Sequence, residues 1–356
     1  MVSFDGRFVN EKIDLKNMTH DALVDYLAGL EQPAFRAGQL IKWIYQQRVT
    51  DFAAMTNVSK ALREQLSLRC RISTLTPVSV QQSRDGTRKY LFQLEDGAAI
   101  EAVRIPMETD KATLCISTQA GCAMGCVFCM TAAAGLLRNL SAAEIVNQVC
   151  AALADGPVGN IVLMGMGEPL HNLDNVVDAL NILFLDDGLG YGARRVTLST
   201  CGLVPEILEL KDRIKVNLAV SLNAADDEVR SRLMPINKRY PLTELIPACA
   251  EFARATRQRV TFEYILIKGV NDSLSMAKKL VKLLHPVRSK VNLIAFNEHQ
   301  GAEFEPPDDS TIRVFQEYLL ERGMVATLRA GKGRDIDAAC GQLKGKMDKM
   351  APCAAE

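Results

Sequence analysis

Three cysteines, Cys122, Cys126 and Cys129, stand in the run Gly121-Cys-Ala-Met-Gly-Cys-Val-Phe-Cys-Met130, at spacing Cys-x3-Cys-x2-Cys. A structural zinc site closes a tetrahedron with four protein ligands. A 4Fe-4S cluster normally takes four cysteines. Three thiolates in one short loop, with no local fourth, point to a cluster that leaves one iron open to a substrate or cofactor. A zinc knuckle is the alternative. A second group of residues follows at Gly165-Met-Gly-Glu-Pro169. It is not a dinucleotide fingerprint, because Pro169 replaces the helical continuation that such a motif needs. Its glycines allow a ligand close to the backbone, and the alternative is a plain strand-terminating turn.

The elements that would position these residues change character along the chain. Asp21-Ala-Leu-Val-Asp-Tyr-Leu27 and Ala37-Gly-Gln-Leu-Ile-Lys-Trp-Ile-Tyr45 repeat apolar residues at helical spacing. Between residues 71 and 104 the period shortens, and Asp85-Gly86 and Asp96-Gly97 separate apolar runs as hairpin turns do. From about residue 110 strands and helices alternate. Strands are expected at Thr113–Ser117, Asn160–Met164, Arg195–Ser199, Val216–Ser221, Val260–Ile267, Val291–Ala295 and Val325–Arg329. Helices are expected after Ser141, where Ser-Ala-Ala-Glu144 is a capping box, and over Asp174–Leu185, Pro241–Thr256 and Ser273–Leu284. Such alternation predicts parallel strands under outer helices, an α/β fold forming a partial or complete barrel. Ligands then belong at the C-terminal strand ends, where the three-cysteine loop lies.

Composition bounds the rest. The 356 residues suggest roughly two domains at about 150 residues each. A hydrophobic share of 48% with 24% charged residues is that of an ordinary globular protein. Ten cysteines in this length are no secreted disulfide framework and fit a reducing compartment. The first residues have no apolar core of signal-peptide type. The charge-free stretch from Ala112 to Leu137 is broken by threonines, glutamine and glycines, so it is no membrane span. A cytoplasmic protein is expected. The 42 basic and 42 acidic residues cancel, so net charge gives no support for nucleic-acid binding. An RNA would have to use local patches: Arg36, Lys42, Arg48, Lys60, Arg63, Arg69 and Arg71, or Lys332, Arg334, Lys344, Lys346 and Lys349. The same residues also read as solvated faces.

The cysteine spacing after a first barrel strand, with Phe128 before the last cysteine, resembles the radical S-adenosylmethionine (radical SAM) superfamily. Gly165-Met-Gly-Glu-Pro169 resembles the element of that superfamily that engages the amino group of SAM. Together with Thr113-Leu-Cys-Ile-Ser117, Ala338-Ala-Cys-Gly-Gln-Leu343 and Glu101, these motifs resemble the RlmN/Cfr group of radical SAM enzymes, which methylate adenine in 23S rRNA. The likeness runs from about residue 18 to residue 346.

The resemblance implies a radical SAM partial (β/α)6-type barrel over 109–346, with a helical N-terminal RNA-binding domain of helix-hairpin-helix type over 1–70. It also implies a β-hairpin connector over 71–108 and a loose tail over 347–356. Cys122, Cys126 and Cys129 would hold one 4Fe-4S cluster, and Gly167, Glu168, Ser199, Ser221, Leu222, Asn223 and Asn297 would contact SAM. Cys340 would accept a methyl group from one SAM and carry it. A second SAM would supply the radical that joins this carbon to the electron-poor ring. Cys115 would then release the carbon by forming a disulfide with Cys340, and Glu101 would be the base. Implied partners are 23S rRNA, possible tRNA substrates and an electron donor such as flavodoxin, with a monomeric enzyme.

Cys353 is a rival carrier, but its Pro-Cys-Ala surroundings hold no motif. Cys70, Cys150, Cys201 and Cys249 read as core; Trp43 and Tyr45 read as core packing, with stacking on bases as the alternative, and His171 reads as structural or solvent-facing. Asn223, the Ala330-Gly-Lys-Gly-Arg334 run and Phe296-Asn-Glu-His299 depart from the family pattern. Carbon 8 methylation, another RNA substrate, or a non-catalytic iron–sulfur RNA-binding protein are the rival functions.

Overall fold

The computed structural model describes residues 12–298 and 302–345. The tail with Cys353, and Lys346, Lys349 and His299, lie outside the described residues. A short strand β1 (Ile13–Asp14) pairs in parallel with β2 (Cys70–Arg71) and closes the N-terminal helical segment on itself. Between them run α1 (His20–Ala28), α2 (Phe35–Ile41) and α3 (Lys60–Arg69). Thr19 and Ser59 cap α1 and α3 by accepting the amides of Ala22 and Leu62. Leu23, Leu27, Leu40, Ile44, Leu62 and Leu66 fill the small core. Tyr45 is buried, and half-buried Trp43 donates its indole N–H to Asn57 Oδ1 at 2.5 Å. Both rings are therefore packing groups.

A ten-stranded sheet follows. Its first strands, β3 (Pro77–Gln82), β4 (Arg88–Gln93) and β5 (Ala99–Pro106), form an antiparallel meander. The turns between them place Gly86 and Gly97 at φ +83° and +85°, a region that suits glycine. β5 then pairs with β6 (Ala112–Cys115), so the hairpins extend the barrel sheet instead of standing apart from it. After β6 come β7 (Gln119–Gly121), α4 (Met130–Ala133), β8 (Leu136–Asn139) and α5 (Ala142–Ala152). The chain continues through β9 (Val158–Leu163), α6 (Leu173–Leu183), β10 (Val196–Thr200), α7 (Val204–Arg213) and β11 (Asn217–Ser221). It ends with α8 (Asp227–Leu233), α9 (Leu242–Thr256), β12 (Val260–Leu266), α10 (Leu274–Leu284), β13 (Ser289–Ala295), α11 (Asp309–Glu321) and β14 (Ala326–Arg329).

From β6 the neighbours β9, β10, β11, β12, β13 and β14 all pair in parallel, in chain order. β14 is an edge, so the barrel is open: six β/α steps lead to a last strand, as the expected partial barrel requires. No residue of β6 or β9–β12 is exposed, whereas Lys290, Thr327 and Leu328 on the last two strands are, and the capping box of Ser141 and Glu144 opens α5. Lys16, almost fully buried, ties the helical segment to this barrel by donating to Asn147 Oδ1 at 2.7 Å.

Candidate active site

The cysteine loop is shaped by its glycines. Gly121 sits at φ +80°, and a Cβ there would lie 1.9 Å from the Gly135 carbonyl oxygen. The Cys122 amide donates to that same oxygen at 2.9 Å, pinning the start of the loop. Its middle is pinned from across the barrel, where Val127 N–H meets the Leu233 carbonyl at 3.1 Å. Cys122, Cys126 and Cys129 line one cavity at the C-terminal strand ends, together with Gly167, Glu168, Ser199, Ser221, Asn223, Cys115 and Cys340.

The three thiols suit a thiolate-held iron cluster. Among the described residues no three His, Cys, Asp or Glu side chains converge on a single ion. Cysteines spread around a cavity can instead take separate irons. Burial pushes the Cys122 thiol up to about 12 and the Cys126 thiol well above its usual range. Metal binding would therefore displace protons held firmly by the apo-protein.

The Gly-Glu-Pro element packs against β7. Gly167 lies at φ +100°, and a Cβ there would approach Gln119 Cβ to 2.5 Å. The buried Glu168 carboxylate accepts the Leu170 amide at 3.1 Å and the Cys201 amide at 2.7 Å. Burial raises its pKa, and those amide bonds oppose the rise. Cys201 is thus more than core, since it is buried but also lines the cavity.

Asn223 sits at φ +58°, a left-handed position that asparagine tolerates. Its Oδ1 accepts the Ile265 amide at 2.9 Å, so the side chain fastens β11 to β12 at the cavity wall. Leu222 is buried off the cavity, with its amide donating to Glu263 O at 3.0 Å and its carbonyl accepting from Arg230. Asn297 lies behind the Cys340 segment, donating to the Cys340 carbonyl at 3.4 Å and accepting from Arg334 Nε at 3.1 Å.

Residues 334–345 fold over the cavity as a strap. The Met130 amide donates to Gly341 O at 2.8 Å, and Thr131 Oγ1 donates to Leu343 O at 2.7 Å. Gly333, at φ +66°, could not carry a Cβ, which would meet Ala338 Cβ at 2.8 Å. That close fold-back accounts for the glycine-rich run before Arg334. Cys340 is exposed as a residue, but its thiol faces the cavity, where burial raises its pKa. Cys115 is a free thiol, as is Cys340, and burial followed by the nearby Cys340 charge pushes it up to about 12.

Glu101 shares a strand face with Val103 and Ile105, which line the cavity, but does not itself line it. Its buried carboxylate holds the Lys89 ammonium at 3.3 Å and the Lys344 and Gly345 amides at 2.7 and 3.1 Å. Two cavity residues went unnoticed in the sequence. Glu263 on β12 accepts from Asn292 at 2.9 Å and faces Arg329 of β14 at 3.7 Å. Burial raises the Glu263 pKa, and Arg329 partly offsets this. His171 is exposed, with Nδ1 3.2 Å from Gln119 Nε2.

A family profile described as "Ribosomal RNA large subunit methyltransferase N-terminal domain" matches residues 13–72, and one described as "Radical SAM superfamily" matches residues 116–281. A dual-specificity RNA methyltransferase RlmN of Syntrophotalea carbinolica is 62% identical over 341 residues, 96% of this chain and 92% of that protein. The chain belongs to the RlmN family of radical SAM RNA methyltransferases. Another family member, from Geobacter sulfurreducens, is 54% identical and covers 96% of this chain and 95% of its own. A crystal structure of a radical SAM methyltransferase from Sphaerobacter thermophilus superposes with a TM-score of 0.88 at 44% identity, covering 94% of this chain and all of that one. RlmN-family membership brings a 4Fe-4S cluster and SAM as cofactors and RNA as substrate. Among the described residues no helix is long and apolar enough to cross a membrane.

Proposed function

We propose that this chain methylates carbon 2 of an adenine in 23S rRNA and acts on tRNA as well, with Cys340 as the carbon carrier. The observation that supports this most is the meeting of two groups of cysteines in one cavity: Cys122, Cys126 and Cys129, and the redox-capable pair Cys115 and Cys340. A non-catalytic iron–sulfur protein would have no use for the second group.

Cys122, Cys126 and Cys129 would ligate the cluster. Gly167, Glu168, Ser199, Ser221 and Asn223 border the space for SAM. Leu222 would contribute by shaping the strand end, and Asn297 by holding the carrier segment. When bound, cluster and SAM together supply a methyl donor and a hydrogen-abstracting radical. Cys340 presents its sulfur as the methyl acceptor. Glu101 takes the ring proton once the strap has loosened its two amide bonds. Cys115, held as a thiol by burial, gives up its proton and forms a bond to Cys340 sulfur as the carbon leaves.

Residues 1–70 would grip the RNA, 71–108 would connect, and 109–346 would house the chemistry, with 347–356 as a tail. Lys42, Arg48, Lys60 and Arg69 are exposed on the helical segment and would face phosphates. A cytoplasmic monomer reduced by a flavodoxin-type donor completes the reading. The test is mass spectrometry of modified adenosines in rRNA and tRNA from cells with and without the gene. Loss of 2-methyladenosine from both RNAs is expected, and loss of 8-methyladenosine instead would overturn the carbon assignment.

A further inference from the structure

Arg230, on α8, has no solvent exposure at all. Its guanidinium donates to Leu222 O at 3.1 Å, Asn237 Oδ1 at 2.8 Å, Cys201 O at 2.7 Å and Ser221 O at 3.3 Å. Every one of these partners is neutral; among the described residues the Asp227 carboxylate reaches Arg230 only at one remove, through Asn237, whose Nδ2 donates to Asp227 Oδ1 at 2.9 Å. Hydrogen bonds satisfy its donors, but they do not cancel its charge. A buried charge with no carboxylate bonded directly to it is costly and is normally found paired.

The surroundings name the missing anion. Two of the accepting carbonyls belong to Cys201 and Ser221, which line the cavity. The cysteine loop rests on the same helix, through Val127 N–H and Leu233 O at 3.1 Å, and Gly125 lies beside Pro235.

Building on the cluster reading above, we propose that Arg230 is the buried counter-charge of the iron–sulfur cluster and raises its reduction potential. It is a positioning and electrostatic residue, since it touches carbonyls of the cavity wall and not the reacting atoms. Reduction brings one electron from an external low-potential donor into a site already ringed by thiolates. A fixed cation nearby, in surroundings that screen poorly, favours the reduced state.

The experiment is an EPR-monitored titration with dithionite of full-length, anaerobically reconstituted wild type, Arg230→Gln and Arg230→Lys. Iron content is measured in parallel. Arg230→Gln removes the charge and keeps hydrogen-bonding capacity. Its reduction equilibrium should fall at least about tenfold, which is 59 mV for a one-electron couple. Arg230→Lys keeps the charge but breaks the planar fork, and should stay within about threefold of wild type. Loss of iron from the Gln variant alone also supports a charge role. A Gln variant with the wild-type potential, or loss of iron from both variants alike, would make Arg230 a structural fork and overturn the proposal. Wild-type protein that takes up no cluster would instead overturn the cluster reading, and this inference with it.

Discussion

The Glu101 carboxylate accepts the Lys344 amide at 2.7 Å, across 243 residues of chain, and so ties the last strand of the meander to the segment that carries Cys340. The same side chain is paired with Lys89 at 3.3 Å, and both are largely buried. The residue proposed as base therefore also fastens the strap. While the strap lies closed, its two amides occupy the carboxylate. On the proposed mechanism, RNA entry would have to replace those bonds, which would couple exposure of Glu101 to exposure of Cys340.

Glu101→Gln separates the two roles. RNA methylation should fall by roughly 10²–10⁴-fold, the usual contribution of a positioned acid or base, whereas methyl loading of Cys340 should persist. Glu101→Ala should in addition cost about 3 kcal/mol, because Lys89 would be left buried without its partner. Urea denaturation reads the second effect, and mass spectrometry of protein and RNA reads the first. RNA methylation by Glu101→Gln at the wild-type rate would remove the residue from the mechanism.

Cys340 and Cys115 should fail in different ways. Cys340→Ala should show neither a methylated cysteine nor a methylated RNA. Cys115→Ala should load its methyl group, attack RNA and stop there, leaving a protein–RNA adduct that survives a denaturing gel. Peptide mapping of protein isolated from cells should place a methyl mass on Cys340. The same mass on Cys353 would transfer the carrier role to the tail, and normal turnover by Cys115→Ala would leave Cys115 a core residue.

The loop cysteines should behave as one unit. Protein reconstituted anaerobically should bind about four irons, and alanine at Cys122, Cys126 or Cys129 should abolish iron binding with little loss of helical signal, because the loop sits outside the strands. Zinc in place of iron would return the loop to the zinc-knuckle reading.

Much of this was legible in the chain because strand and helix periods, caps and turns are local. The parallel strands fell where apolar runs stood, and Ser141 and Glu144 announced α5. Side chains that answer to distant partners were not legible. Alternation puts Glu101 on a strand face that looks solvated, but Lys89 and the strap cover it. Glu263 in Val260-Thr-Phe-Glu-Tyr264 also points inward, toward Asn292 and Arg329. Arg230 lies in a short polar helix and is buried because carbonyls at two strand ends need its donors. Ser221, Leu222 and Asn223 are all expected at SAM, yet Ser221 and Asn223 line the cavity while Leu222, between them, is buried off it.

A last prediction concerns acid. Asp96, in the second hairpin turn, receives Arg138 Nε at 2.5 Å, and Arg138 also grips Glu144 at 2.8 Å, so one guanidinium joins the meander, β8 and the start of α5. The Arg138 hydrogen bond lowers the Asp96 pKa to about 2. A carboxylate with a depressed folded-state pKa stabilises the fold above its unfolded value, near 3.9, and loses that contribution as pH falls toward the folded value. Asp96 remains 45% exposed, so solvent screens the pair and its worth is at most about 1 kcal/mol. Asp96→Asn should therefore be less stable than wild type at pH 7 by up to that amount, and the two should converge as pH drops below about 4. Urea denaturation at pH 7, 4 and 2 measures the gap, and a difference that stays constant from pH 4 to pH 2 would show that charge at Asp96 is not what holds the turn.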